Sequence, residues 1–339
     1  MAKAEVIRPS FNSPFLSNVE SSPEKEQLPR KVAFVFPGQG AQFVGMSDAL
    51  LEYHAGKEVF GIADTVLPFS LQDVCSYGPA EILNETSVTQ PAIITASIAT
   101  QKIVQEMNPV LQPDLVAGHS LGELSALVAA GAIDAKTAVF ISLQRGIFMQ
   151  EAGREQAGGM GVILGATQEQ IQEVLNSQRF KNQVYIANIN SATQTVISGE
   201  REKVQEALEL FKEEKLAKRT LALDVSIAAH TPFMETARHR FRALLETVTF
   251  NSPEIPIVLN YTNDVSDDPQ EIKESMSEQL THSVDWVAIT QKLNAFGVKT
   301  YIEMGPGGVL SGLLRKENLD ADKDNILTAK EYITGYLHK

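Results

Sequence analysis

The sequence predicts an α/β protein in which a large domain is interrupted by a small ferredoxin-like one, and three observations carry that prediction. From residue 31 onward, apolar runs of strand length alternate with helix-patterned stretches, as in a largely parallel sheet. Over 158–223 the order changes to β-α-β-β-α-β, the ferredoxin-like arrangement. Ahead of that segment, Gly118-His119-Ser120-Leu121-Gly122-Glu123 follows the apolar run 114–117 and opens an apolar-periodic stretch over 121–130. A serine between two glycines at a strand-to-helix turn fits a nucleophile elbow, where small neighbours let the backbone bend sharply and leave Oγ exposed. An ordinary glycine-flanked turn reads the same way, so partners for Ser120 decide between the two.

Residues 1–30 are polar, rich in Ser, Pro and Glu, and lack an apolar signal core; they read as a flexible leader. Glu5, Glu20, Glu24 and Glu26 argue against a mitochondrial presequence. A strand over 32–36 runs into Pro37-Gly38-Gln39-Gly40. Pro91 is placed in the first turn of a helix ending near Met107, where the missing N–H of proline has no intrahelical partner to lose. Asp134 carries the side chain of an N-cap for a helix ending near Ala152. Then come a strand over 160–165 and the capping-box sequence Thr167-Gln168-Glu169-Gln170, opening a helix to about Ser177. Strands over 184–190 and 194–198 flank Ser191-Ala192-Thr193, followed by a helix over 200–214 and a strand over 219–224. The larger pattern resumes with a helix from Pro232 and strands over 255–260 and 300–304. The expected division is a leader at 1–30, a large α/β domain at 31–157 and 224–318, a small domain at 158–223 and a C-terminal tail at 319–339.

Bulk properties remove several classes of function. A net charge of −13 argues against nucleic acid as a partner. The densest basic cluster is Arg238, Arg240 and Arg242, with Lys215, Lys218 and Arg219. Such a cluster is usually a solvated helix face; if it functions, it attracts an acidic protein surface. No apolar stretch is long enough to span a membrane. The single cysteine, Cys75, excludes a disulfide framework and any Cys-based metal site, and no His/Cys/Asp ligand spacing occurs, so no metal is expected. A lone cysteine favours a reducing compartment, and a cytoplasmic location is expected.

A serine at its free pKa is a poor nucleophile and needs a base. His119 is adjacent to Ser120, which directs its side chain away from the base position. His54, His239 and His338 fall on polar or terminal segments, leaving His230 and His282. His230 stands in Ala228-Ala229-His230-Thr231-Pro232, where a strand ends and a helix begins, a position favoured by catalytic groups and equally by capping or packing histidines.

Further motifs occur in a fixed order. They are Phe36-Pro37-Gly38-Gln39-Gly40-Ala41-Gln42, the run from Gly118 to Glu123, and Gln144-Arg145-Gly146 with Met149. Ala187-Asn188-Ile189-Asn190-Ser191, His230 with Pro232 and Met234, Glu278-Gln279-Leu280 with Trp286, and Glu303-Met304-Gly305-Pro306-Gly307 complete the set. Together, over 31–316, they resemble the malonyl-CoA:acyl-carrier-protein transacylase family, which includes the acyltransferase domains of polyketide and fatty-acid synthases.

The resemblance implies a large α/β-hydrolase-like domain carrying the small ferredoxin-like insert. It implies that Ser120 attacks the thioester of malonyl-CoA with His230 as general base, that the acyl-serine passes its group to the phosphopantetheine thiol of an acyl carrier protein, and that no cofactor takes part. A backbone carbonyl near Gln279, rather than a carboxylate, is expected to orient the histidine, and the N–H groups of Gln39 and Leu121 to form the oxyanion hole. Arg145 is expected to grip the free carboxylate of malonyl, with Gln279, His119 and Asn188 supporting the site. A monomer is expected. Leu121 resembles malonyl-type members, whereas Ala229 stands where they often carry Phe, which leaves room for an α-substituted malonyl group. Ala41, Ser283 and Gly308 are further departures. Two rivals share Ser120 and His230 or their places: a thioester hydrolase with water as acceptor, and a docking module with a relic site. The intact Ser120, His230 and Arg145 argue against the relic, and Arg145 favours transfer of a carboxylated acyl group. Whether the pathway makes fatty acids or polyketides is open.

Overall fold

The computed structural model describes residues 31–317 and 319–337; the leader expected at 1–30 lies outside them. In chain order, β1 (Val32–Phe36) is followed by α1 (His54–Val66), the short α2 (Leu71–Tyr77) and α3 (Ala80–Leu83), and the long α4 (Thr86–Met107). β2 (Leu115–Gly118) leads into α5 (Gly122–Ala129) and α6 (Ala135–Glu155). Next come β3 (Gly158–Leu164), α7 (Gln168–Leu175), β4 (Val184–Ser191), β5 (Gln194–Glu200), α8 (Arg201–Glu213) and β6 (Arg219–Ala222). A 3-10 turn at Pro232–Met234 runs into α9 (Glu235–Thr247), then β7 (Ile257–Val258), β8 (Val265–Ser266), α10 (Pro269–Glu278), β9 (Val284–Asp285) and α11 (Trp286–Ala295). The last elements are β10 (Thr300–Glu303), α12 (Val309–Leu314), β11 (Ile326–Thr328) and α13 (Ala329–Leu337).

The result is a mixed α/β architecture with two sheets. The larger runs β11-β10-β1-β2-β7-β8, parallel except for β8. Its inner strands are buried along their whole length, which explains why 32–36 and 115–118 read as unbroken apolar runs rather than alternating ones. One face packs against α1, α4, α5, α6 and α9 through a continuous apolar core; the other packs against α11 and α12 around Trp286 and Tyr301. The smaller sheet runs β6-β3-β5-β4-β9 and is covered by α7 and α8. Its first four strands pair antiparallel, while β9, which lies beyond residue 224, adds in parallel on β4 and ties the two sheets together.

Local rules account for most boundaries. Asp134 accepts the Thr137 N–H at 2.7 Å at the start of α6, and Thr167 with Gln170 forms the reciprocal capping box of α7. Three expectations change. α4 begins at Thr86, not Pro91, because its first turn is packed against α6; a Cβ on Gly146 would lie 2.7 Å from the Thr86 carbonyl oxygen. The strand expected over 255–260 shrinks to Ile257–Val258, because the Leu259 and Asn263 amides turn the chain back toward β8 and swing Asn260 out of the sheet. The tail expected at 319–339 contains β11 and α13. The apolar side chains of Ile326, Ala329 and Tyr332 are buried, and β11 extends the large sheet.

Candidate active site

β1 and β2 are neighbours, so the Pro37–Gly40 turn and the Gly118–Gly122 turn lie side by side at the carboxyl ends of parallel strands, where α/β sheets place their ligands. Ser120 adopts φ +51°, a left-handed conformation that costs a serine about 1 kcal/mol or more. The glycines around it are required by space: a Cβ on Gly122 would lie 2.1 Å from the Phe36 carbonyl oxygen, and one on Gly118 would lie 2.0 Å from the Gly122 backbone. Asn260 clamps the turn from the other side. Its Oδ1 accepts the Ser120 N–H at 2.8 Å, and its Nδ2 donates to the Gly118 carbonyl at 2.7 Å.

The Ser120 hydroxyl faces His230, whose Nε2 is 2.8 Å from Oγ. Nδ1 of the same ring is 2.7 Å from the Gln279 backbone carbonyl. A carbonyl only accepts, so Nδ1 carries the proton and Nε2 is the free base. Burial pushes the His230 pKa down to about 3, the positive charge of Arg145 pushes the same way, and the Gln279 carbonyl opposes both. The resting imidazole is therefore neutral at physiological pH and able to accept a proton.

Arg145 projects from α6 into the same space and is buried. One terminal nitrogen donates to Gln90 Oε1 at 3.0 Å; the other donates to Ser120 Oγ at 3.2 Å and to Gln279 Oε1 at 3.3 Å. All three acceptors are neutral. The nearest carboxyl, Glu123, reaches the guanidinium only through the Gln279 side chain. Burial lowers the Arg145 pKa to about 10 despite that carboxyl, and raises the Glu123 pKa to about 7 against the hydrogen bonds from Asn260, Gln279 and Ser275. A buried guanidinium without a contacting carboxylate is arranged to receive an anionic ligand.

These groups border a cavity of about 470 Å³ between the two sheets. Gln39 and Leu121 line it, and among the described residues neither backbone N–H donates a hydrogen bond within the chain. Asn188 and Ala229 line it too. His119 turns away from Ser120 Oγ: its Nε2 lies 2.9 Å from Asn190 Oδ1, and its ring packs 5.5 Å from that of Trp286. His282 is exposed, with Nδ1 2.8 Å from the Glu278 carbonyl, and is not part of this group. The basic cluster on α9 is largely matched by carboxylates. Arg238 pairs with Glu235 and Glu278, while Arg240 pairs with Glu151 and lies over the Phe148 ring. Among the described residues no cluster of His, Cys, Asp or Glu is arranged to hold a metal, and no helix is long and apolar enough to cross a membrane.

Four contributors are given no role by the sequence: Gln90 and Asn260 lie outside the quoted motifs, while Glu123 and Asn190 lie inside two of them. Glu123 left a legible signal of another kind, a charged residue within the apolar-periodic stretch over 121–130. Gln90 and Asn260 left none, because each acts at a place where chain folding, not local pattern, brings it to the serine.

The acyl transferase domain family matches residues 33–329. A malonyl CoA-acyl carrier protein transacylase of Bacillus subtilis is 42% identical over 290 residues, covering 85% of this chain and 90% of its own. The solved malonyl CoA-acyl carrier protein transacylase of Coxiella burnetii superposes with a TM-score of 0.85 at 33% identity, covering 91% of this chain and 96% of that one. A malonyl-transacylase solved in complex with its type II polyketide-synthase acyl-carrier protein superposes with a TM-score of 0.81 at 37% identity, covering 88% and 94%.

Proposed function

The chain belongs to the acyl transferase family, and from that premise we propose that it carries a malonyl group from malonyl-CoA to the phosphopantetheine thiol of an acyl carrier protein. The observation that carries this reading is the position of Ser120 Oγ, 2.8 Å from a neutral imidazole nitrogen and 3.2 Å from a buried guanidinium. The imidazole suits acyl-enzyme chemistry; the guanidinium suits an acyl group that bears its own carboxylate.

In the first half-reaction His230 Nε2 takes the Ser120 proton as Oγ attacks the thioester carbonyl, and the resulting imidazolium gives that proton to the departing CoA thiolate. The carrier thiol then enters, His230 removes its proton, the thiolate attacks the acyl-serine, and the proton returns to Ser120 Oγ. This is a two-step, ping-pong exchange by a Ser-His dyad. The Gln279 carbonyl, 2.7 Å from Nδ1, serves where a triad would use a carboxylate. The free amides of Gln39 and Leu121 are the donors for the oxyanion, each worth about 3 kcal/mol in the transition state. Arg145 holds the malonyl carboxylate, exchanging its Ser120 contact for an ion pair. Asn188 shapes the acyl slot, and His119 supports the turn through Asn190. Thioester exchange changes no oxidation state, so the reaction needs no cofactor.

The finer fold reading goes with this function. The small unit at 158–223 is ferredoxin-like, supported by the antiparallel order β6-β3-β5-β4, and the large unit is α/β-hydrolase-like, supported by a serine elbow at the end of a parallel strand. Intact mass spectrometry with malonyl-, methylmalonyl- and acetyl-CoA, followed by holo carrier protein, tests the activity. A malonyl adduct on Ser120 that moves to the carrier is expected; an adduct that decays to free acid with or without carrier would make the chain a hydrolase.

A further inference from the structure

We propose that Glu123 is a positioning residue that fixes the Arg145 guanidinium for carboxylated acyl groups, acting through the side chain of Gln279. The inference rests on the malonyl reading of the site and adds to it the group that sets acyl selectivity from behind the arginine.

Glu123 lies in the first turn of α5 and is wholly buried, three residues after the nucleophile. Its Oε1 accepts the Asn260 N–H at 3.2 Å, with the Ser275 hydroxyl at 3.5 Å, and its Oε2 accepts from Gln279 Nε2. Glu123 Oε2 accepts from Gln279 Nε2, so the amide of Gln279 turns its NH2 toward residue 123. Its Oε1 then has one direction left, toward Arg145, where it accepts at 3.3 Å. Gln279 Nε2 also lies 3.4 Å from the Ser120 carbonyl, so the same orientation suits the nucleophile turn. Gln90 holds the other terminal nitrogen of the arginine and is itself oriented through Met149 Sδ. The guanidinium is thus fixed in its plane by two neutral carbonyls whose directions are set one residue further out.

Among the described residues, the other wholly buried glutamate gives the contrast. Glu303 accepts the Leu310 and Ser311 amides at 3.0 and 2.7 Å and so caps the first turn of α12. That carboxylate is consumed by backbone and does not line the active-site cavity. Glu123 meets one backbone amide and two side chains, Ser275 and Gln279, and the second of these leads to the guanidinium.

The test is the ratio of malonyl to acetyl loading, measured from acyl-CoA by time-resolved intact mass spectrometry. Glu123→Gln keeps an oxygen for Asn260 but presents an NH2 to Gln279, which must then turn its own NH2 against the guanidinium. The ratio is expected to fall by about tenfold, the loss of one directed hydrogen bond to a charged group, while acetyl loading falls less than about threefold. Gln279→Met removes the relay yet keeps the backbone carbonyl that holds His230, and should lower the ratio by a similar factor. The double variant should lower it no further, because both changes break one pathway. Equal losses for both acyl groups in Glu123→Gln, or additive losses in the double variant, overturn the proposal. Should Glu123→Gln not fold, as a melting curve would show, an unchanged ratio in Gln279→Met overturns it and a lowered ratio supports it. A wild-type chain that takes no malonyl at all would instead remove the functional reading itself.

Discussion

The cleft has two unlike walls. The wall on the large sheet carries Ser120, His230, Arg145 and Gln279, all buried or half-buried and joined by hydrogen bonds of 2.7 to 3.3 Å. The wall on the small sheet is made by Met160, Val162, Asn188, Asn190, Gln194 and Val196, none of them ionisable. The difference assigns labour. The nucleophile follows the end of a buried parallel strand and the charge projects from α6 beside it, where packing holds a left-handed serine and a desolvated histidine in place. Shape is supplied by the strand faces of a smaller sheet joined to the first through β9. Changes to the first wall should alter chemistry and charge recognition, and changes to the apolar residues of the second, Met160, Val162 and Val196, should alter only which acyl group fits.

The largest expected effect is on the nucleophile. Ser120→Ala should abolish the acyl adduct and lower transfer by at least about 10⁴-fold, read by intact mass and by carrier acylation. His230→Ala should retain binding but slow acylation by about 10³-fold, within the range for general-base catalysis. A small-wall variant with losses of that size would break the division between the walls.

Arg145→Ala should lower malonyl loading by about 10- to 100-fold, the worth of charge-assisted hydrogen bonds, and lower acetyl loading much less. The same variant has a second readout. The folded chain keeps His230 neutral down to about pH 3, whereas an unfolded histidine binds its proton near 6.5. Between those values the unfolded state holds more protons, so this contribution to stability is full above pH 6.5 and is lost as pH falls toward 3. For catalysis the same shift places the acid limb of kcat/KM for acylation below pH 6.5. Burial is the larger cause and Arg145 the next, so Arg145→Ala should move that limb upward toward the ordinary histidine range. A limb that stays put would separate the arginine from the base.

How much of this is legible in the sequence follows the same division. The elbow has a local cause, a glycine-permitted turn, whereas His230 and Arg145 become legible only through the resemblance of their short motifs to a family, since local pattern leaves a capping histidine and a surface arginine open. The capping residues Asp134 and Thr167 are legible for the same reason as the elbow. Gln90 and Asn260 are not, since one lies 55 residues from the arginine it contacts and the other 140 from the serine amide it accepts. Pro91 misleads because tertiary packing on α6 holds a helix start that propensity alone would place later. The 319–339 tail misleads because β11 is three residues long, and its pairing with β10 leaves little trace in composition.

The smallest expected effect lies on the apolar wall. Met160 lines the cavity from β3, and Ala229, the small residue beside the proposed base, lines it too. Shortening Met160 to Ala removes flexible apolar volume without touching Ser120, His230, Arg145 or their hydrogen bonds. A hydrophobic pocket discriminates one methyl or methylene only weakly, so Met160→Ala should raise methylmalonyl loading relative to malonyl by about tenfold, with malonyl kcat changed less than about threefold. Ala229→Phe should act in the opposite sense, since a ring there fills the room for an α-substituent. Competition between the two CoA esters, read by the mass of the adduct on Ser120, measures both. If Met160→Ala instead slowed malonyl and methylmalonyl loading alike, the small sheet would be contributing to the chemistry, and the two walls would have to be treated as one catalytic surface.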